Sequence, residues 1–448
     1  MRRQSKHLNT SVAFASCVLL SACVSLGGSP SRIDGQNAFG FSSLGAAPQA
    51  SLQDENALVA AQALDADAPV FNDLLNRKSV LSSGPLADIA ASVLDANSRT
   101  AEAELRAARL RSEAEQKNWL PRIGPNISLS SLGGAVAGLV VEQSLFDNSR
   151  KAAERDLARA DVQVAAVALA EDSNERVRQA LELYLKAEAA RARAEVNAAS
   201  ISKMEHFEYV MNERVRGGVS NRADLLLVQQ KRNQMDSDLA ADREAARTAR
   251  AELDAMSAVP TSGITGLSAV TASAANAVPL SVLRAEAEAA RSVANAKAQR
   301  GGILPGVNLT ASVTNRGNDV GVGSSSQGIG FGTGASLAAL DAKAEAATAK
   351  VAQDREAANR RIASLDGQIS SILRQAGEAK EIAAQAARNY DLFADQLAAG
   401  QRSVPEVVSV FETKVRAERE AVNLVYELAR LQIERAALLG TLVDGGRI

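Results

Sequence analysis

The sequence predicts a mixed α and β membrane protein: long antiparallel helices in coiled-coil pairs, four short strands that cannot close a barrel within one chain, and an internal duplication. Three observations carry this expectation. All ten prolines lie at 30, 48, 69, 85, 121, 125, 260, 279, 305 and 405, so residues 126–259 and 306–404 lack the strongest helix breaker. Most of both stretches is rich in Ala, Glu, Arg, Gln and Leu. Short segments beside Pro121 and Pro305 alternate apolar and polar residues with period two, and landmarks in the first half recur in the second at offsets of 184 and 182 residues.

The elements follow in chain order. Arg2, Arg3 and Lys6 precede an apolar run from Val12 to Leu20, too short to span a membrane, so residues 1–22 read as a secretory signal peptide. The run closes on Leu20-Ser21-Ala22-Cys23, which resembles a bacterial lipobox, so Cys23 is the expected lipidation site and first mature residue. Val24 follows, where an Asp would resemble an inner-membrane retention signal. Residues 23–52 are assigned as a lipidated linker. Cys17 is removed with the signal, leaving one thiol and no disulfide. Removing three cations and no acid takes the formal charge from −2 to −5, which gives a nucleic-acid role no support.

The first repeat is assigned to 53–257. An alanine-rich helix, Ala101–Asn118, leads to Leu120-Pro121 and to a strand over about 122–132, in which Ile123, Pro125, Ile127 and Leu129 alternate with Asn126, Ser128 and Ser130. Gly133-Gly134 can make a tight turn into a second strand, 135–146, where Leu139, Val141 and Leu145 oppose Gly138, Glu142 and Ser144. A long helix over 148–216 would be roughly 100 Å tall, with Leu157, Val164, Val167, Val177, Leu181 and Tyr184 as a coiled-coil-like seam. A return helix, 221–257, runs antiparallel to it and ends at an equatorial loop, 258–279.

The second repeat, 280–440, follows the same plan: helix 281–300, Leu304-Pro305, strands over about 306–315 and 328–338, long helix 341–399 and return helix 404–440, with a tail at 441–448. Val307, Leu309, Ala311 and Val313 alternate with Asn308, Thr310, Ser312 and Thr314. Ile329, Phe331, Ala335 and Leu337 alternate with Gly328, Gly330, Gly332, Gly334 and Ser336. The strand lengths suit tilted membrane strands with lipid on one face and water on the other, in a barrel closed by several protomers. A water-soluble hairpin pair packed on helices is the other reading of the same alternation.

In this order and spacing the chain resembles the TolC family of outer-membrane factors, over about residues 50 to 440. The motifs are Leu120-Pro121, Gln143-Ser144-Leu145-Phe146-Asp147 and the Gly-x5-Asp/Glu turns at Gly218–Asp224 and Gly400–Glu406. The second copy departs from the family, reading Leu337-Ala338-Ala339-Leu340-Asp341 where a Leu-Phe-Asp exit is expected. The first hairpin is also short for the family. The resemblance implies a homotrimer with a twelve-stranded β-barrel continued by an α-helical tunnel. It implies a passive exit duct in the outer membrane, anchored by lipid, with a periplasmic adaptor protein and an inner-membrane pump or secretion ATPase as partners. Efflux of small molecules or metals is the first expectation and type I protein secretion the alternative. A lipid-anchored coiled-coil tether without a pore is the third reading.

By position, Arg402 and Glu406 match the family's gating arginine and first gating acid; its second acid falls on Ser409, and Asp224 sits at the matching place in the first turn. Gly218 and Gly400 fall where adaptor docking is expected. Helix termination by Gly218 and Gly400, and capping by Ser220 or Asn221 and by Ser403, account for the same motifs structurally. No enzyme, cofactor or metal is expected. His206 is the single mature histidine, and the glycines at 321–334 alternate rather than open a phosphate-binding helix.

Overall fold

A computed structural model describes residues 69–81, 83–96, 100–129, 135–270, 277–314, 317–324 and 330–447, all within a unit that spans 54–448. The expected signal segment, the lipidation residue Cys23, the linker to residue 52 and the Gly133-Gly134 turn lie outside these residues.

The elements in chain order are α1 (Pro69–Leu75), α2 (Pro85–Asp95), α3 (Thr100–Gln116), β1 (Arg122–Leu129), β2 (Ala135–Phe146), α4 (Arg150–Arg216), α5 (Arg222–Asp254), α6 (Leu280–Ile303), β3 (Val307–Thr314), β4 (Gly317–Ser324), α7 (Thr333–Ala398) and α8 (Val404–Leu438). A 3-10 turn, Gly445–Arg447, follows. The two halves match: α4 has 67 residues and α7 has 66, α5 has 33 and α8 has 35. At 1.5 Å per residue, α4 and α7 are each about 100 Å long. Among the described residues no helix is apolar enough over a sufficient length to cross a membrane.

Over the described part of the expected strand 328–338, residues 330–338, there is no strand. The fourth strand is β4, which follows β3 after two residues, and Thr333 to Leu337 already belong to α7. The physical reason is that glycine alternation is a weak strand signal, because glycine has no side chain to pack. Ala335, Leu337, Ala338, Ala339 and Leu340 instead favour a helix. The Thr333 hydroxyl accepts from the Gly330 amide at 3.0 Å as α7 opens. The departure at Leu337–Asp341 has the same origin, since those residues are helical.

The four strands form one antiparallel sheet in the order β1-β2-β3-β4. This leaves the outer edges of β1 and β4 without a partner strand among the described residues. Helices α4 and α5 pack along each other, as do α7 and α8, and α6 lies against both α4 and α7. Alanine permits the close approach: Ala166, Ala170, Ala180 and Ala190 of α4 and Ala285, Ala287 and Ala294 of α6 are buried. Helix α7 is different, with Ala358, Leu365 and Ala379 its only buried residues.

Two apolar cores hold the helices. The larger gathers Phe71, Leu74, Ile89, Val93 and Leu105 around the middle of α4, with Leu253, Leu280, Ile433 and Leu442. Val167, Val177, Leu181 and Tyr184 of the expected seam are buried in it, whereas Leu157 and Val164 are half-buried. The smaller joins Met204, Phe207 and Met211 of α4 to Val228 of α5 and to Val404, Val407, Val408, Phe411 and Val415 of α8. Tyr390, Phe393 and Leu397 of α7 pack on it. The α4–α5 and α7–α8 turns therefore share one end, and the sheet, which leads into the start of α4, lies at the other.

Candidate functional site

The sheet has two chemically distinct faces, set by its register. Ile123, Val141, Ala311 and Val320 stand in one row across the four strands, and Leu309 pairs with Val322 on the same face. This face is open, with Ile123 71%, Ile127 73% and Val320 70% exposed. The opposite face carries Arg122, Glu142, Thr310 and Gly321 in one row, Val140, Ser312 and Asp319 in another, and Ser144 beside Asn308. The Ser144 hydroxyl donates to Asn308 Oδ1 at 3.0 Å. Directly paired residues share a face in a sheet, so the sequence alternation becomes an apolar and a mostly polar surface.

The junction between sheet and helices is tied by side chains. Asn148 and Ser149 adopt positive φ of 51° and 62°, turning the chain from β2 into α4. Asn148 Nδ2 donates to the Pro305 carbonyl at 2.7 Å, and Asp147 accepts from the Lys151 amide at 2.8 Å. Asn118 links α3 to the start of α4 by donating to the Lys151 carbonyl at 3.0 Å and accepting from Arg155 at 2.8 Å.

Midway along α4 a carboxylate is fully buried. Glu188 accepts from Arg191 Nη2 and Arg250 Nη2 at 2.8 Å each, and from the Gly266 amide at 2.9 Å. Tyr184 donates its hydroxyl to the Gly266 carbonyl at 2.7 Å, and Arg250 stacks over its ring at 5.2 Å. Burial, together with the charge of Glu188, pushes the Tyr184 hydroxyl well above its ordinary range. Closer to the turns, Asp242 accepts from Arg193 at 2.8 Å and Arg419 at 3.0 Å, binding α4, α5 and α8 together. Nothing in the sequence distinguished Glu188 or Asp242 from the many surface carboxylates.

The two turns at the far end are built alike. Gly218 and Gly400 have φ of +71° and +74°. In each turn the next amide, Val219 or Gln401, donates 2.8 Å back to the carbonyl of Arg214 or Gln396. This is the left-handed closure that favours glycine. Asn221 caps α5, its Oδ1 accepting from the Ala223 amide at 2.9 Å.

Of the residues expected to gate, Arg402 and Glu406 come together at 3.7 Å, and both side chains are exposed. Arg402 also donates to Gln396 at 3.0 Å and stacks 4.6 Å from the Phe393 ring centroid. Glu406 accepts from the amide and the hydroxyl of Ser403, each at 3.0 Å. Those bonds, the amide's first, hold its carboxyl below the usual range. The Ser403-Val404-Pro405-Glu406 spacing already contains this cap, because a Ser followed three residues later by Glu is a helix-start signature. Ser409 is exposed on α8, and Asp224 is half-buried in the first turn of α5. No three His, Cys, Asp or Glu side chains among the described residues are grouped to hold a metal ion.

No protein-family profile matches the chain, and no curated protein does. Solved structures do match. The chain is similar to the outer membrane protein VceC from Vibrio cholerae, with a TM-score of 0.67 and 13% identity over 79% of this chain and 96% of that one. It is similar to the CmeC outer membrane channel of Campylobacter jejuni, with a TM-score of 0.67 and 10% identity over 81% and 86%. A membrane protein from Pseudomonas aeruginosa superposes with a TM-score of 0.72 and 14% identity over 83% and 93%. The chain thus has the fold of the outer-membrane channels, the fold to which its TolC-family resemblance pointed.

Proposed function

We propose that the protein is the outer-membrane duct of a tripartite export system, a lipid-anchored homotrimer that passes small molecules or metals without catalysing a reaction. The observation that carries this reading is the sheet: an exposed apolar face, a mostly polar face and two open edges, set at one end of helices about 100 Å long. Open strand edges in a bilayer leave backbone groups unsatisfied, so the edges need partner strands. Three copies would supply twelve strands, with apolar side chains toward lipid and Asn, Ser and Thr toward a wet lumen. The sparsely buried α7 supports the same assembly, since it leaves a long helical surface for a neighbour.

In this reading the shared end of the two turns is the periplasmic mouth. Gly218 and Gly400 would meet the adaptor, while Arg402, Glu406, Ser409 and Asp224 would line the aperture. An inner-membrane pump supplies the energy, and the helices supply the continuous path. The deciding experiment is mass in mild detergent combined with conductance in planar bilayers. A trimer that conducts is expected. A monomer with the same β content, or a trimer that never conducts, would overturn the duct and favour a tether.

A further inference from the structure

The two edge strands of the sheet are poorly held by their own chain. Strand β4 contains Gly317, Gly321 and Gly323, and none of its eight residues is buried. Glycine gives a strand no side chain to pack, so β4 gains little from β3 alone. Val320 and Val322 of β4 and Ile123 and Ile127 of β1 are all left exposed on the apolar face. Resting on the duct reading above, we propose that β4 of one copy pairs antiparallel with β1 of the next, slipped by four residues, so that Val320 meets Ile127 and Gly321 meets Asn126.

The slip follows from closing the barrel. Arg122, Glu142, Thr310 and Gly321 stand in one row across the four strands, and the β2 bulge, which sets Phe146 opposite Val307, lies on the helix side of that row. Barrel strands tilt about 35–45° from the axis, so a row perpendicular to the strands climbs as it goes round. Over four strands about 4.8 Å apart the climb is about 13–19 Å along a strand, or roughly 4.0–5.6 residues at about 3.4 Å each. An odd slip would set the apolar face of one copy against the wet face of the next, because side chains alternate with period two. Four is the single even number in that interval. Gly321 therefore reaches Asn126 of the next copy, where an unslipped row would bring it to Arg122.

Overlap of the two edges selects the sense of the slip. Moving one way sets Asn318–Ser324 of one copy against Ile123–Leu129 of the next, so the edges cover each other almost throughout. Moving the other way would leave Gly317 facing Arg122 and the rest of β4 opposite residues that precede β1, with strand backbone unpaired in the bilayer. In the favoured sense Val322 meets Pro125 beside the Val320–Ile127 pair, and Gly323 meets Gly124 beside Gly321–Asn126. A Cβ added at Gly321 or Gly323 would have nothing within 4 Å, so the exposed Asn126 side chain of the next copy has room there.

Cysteine cross-linking reads this register directly. Opposed residues on paired strands have Cα atoms about 4.5–5.5 Å apart, whereas diagonal neighbours are about 7–8 Å apart, beyond a disulfide's reach. Within one chain β2 and β3 separate β1 from β4, so any bridge between the outer strands joins two copies. I127C/V320C and N126C/G321C, adjacent pairs that cover both hydrogen-bonding classes of the ladder, are made in the full-length protein, with single-cysteine variants correcting for Cys23. Outer-membrane preparations are oxidised with copper phenanthroline, and products are read on non-reducing gels and by mass. I123C/V322C and I127C/V322C, which report slips of two and six, are the comparison pairs. At least one expected pair should give multiples of this chain's own mass, with a yield about tenfold or more above the comparison pairs. Bridging by a comparison pair alone would overturn the register and leave the duct standing. No bridging by any pair, in a protein that is trimeric in mild detergent, would overturn the pairing of β4 with β1. No bridging in a monomer would remove the duct as well, and a product containing another protein would overturn the second copy as occupant.

Discussion

Replacing Glu188 with alanine removes an acceptor that three donors share at the midpoint of the longest helix. Arg191 is 43% exposed and can return to water, so its loss costs little. Arg250 is 18% exposed and keeps the Thr261 oxygens, at 3.2 and 3.4 Å, and the Tyr184 ring at 5.2 Å but no anion, while the Gly266 amide loses a charge-assisted bond. Removing one member of a buried ion pair costs about 3–5 kcal/mol, most of it the unpaired charge left behind. Glu195→Ala is the matched control, because Glu195 bonds the same Arg191 at 2.6 Å but is 65% exposed. It should cost under about 1 kcal/mol. Thermal unfolding followed by circular dichroism at one scan rate should separate the two variants clearly. Thermolysin, which cuts before bulky apolar residues, should cleave the 258–270 segment faster in Glu188→Ala, since Gly266 is no longer tethered through its amide. Equal melting and equal cleavage in both variants would refute the claim that Glu188 anchors this segment.

Gly301→Ala should destabilise the sheet–helix junction by about 1–3 kcal/mol, because an added Cβ would lie 2.7 Å from Arg150 Cβ and 2.8 Å from its Cα; thermal melting checks it, with Gly302→Ala, whose added Cβ would meet only Arg150 Cδ and Nε at ordinary contact distances of 3.9 and 4.0 Å, as the comparison. Glu406 has a folded pKa below its ordinary value, so the stability of its cap is present above the unfolded pKa and is lost as pH falls through the lower folded one. Amide exchange protection at Ser403 should decline over that acidic interval and should not respond in Glu406→Gln. Arg402→Ser combined with Glu406→Ala should raise single-channel conductance with little change in trimer stability; unchanged conductance with earlier melting would make both residues capping charges only. Mature protein from a lipidating host should have the mass of a chain beginning at acylated Cys23, and an unacylated mass would remove the anchor.

Much of the fold was legible because helix breaking and strand alternation are local. A proline-free run rich in helix formers has few alternatives, and the bounds expected for α4, 148–216, differ from Arg150–Arg216 by two residues at one end only. Period two over Val307–Val313 named a strand correctly for the same reason, since each residue's face is set by its neighbours two away. The fourth strand was misplaced because glycines satisfy a period-two pattern without having side chains to place. Only its pairing with β3, from Val307–Ser324 to Thr314–Gly317, distinguishes Gly317–Ser324 as the strand.

The sequence by itself determined the long helices, the first three strands and the two glycine turns, all of which depend on backbone preferences within a few residues. The tertiary structure alone decided which charges are buried, which core joins the two turns at one end, and where the β2 bulge turns Phe146. Those outcomes depend on contacts between residues far apart in sequence, such as Glu188 with Gly266, Asp242 with Arg419, and Phe146 with Val307. No local pattern encodes such a contact, because the free energy that selects it appears only when distant segments exclude water together.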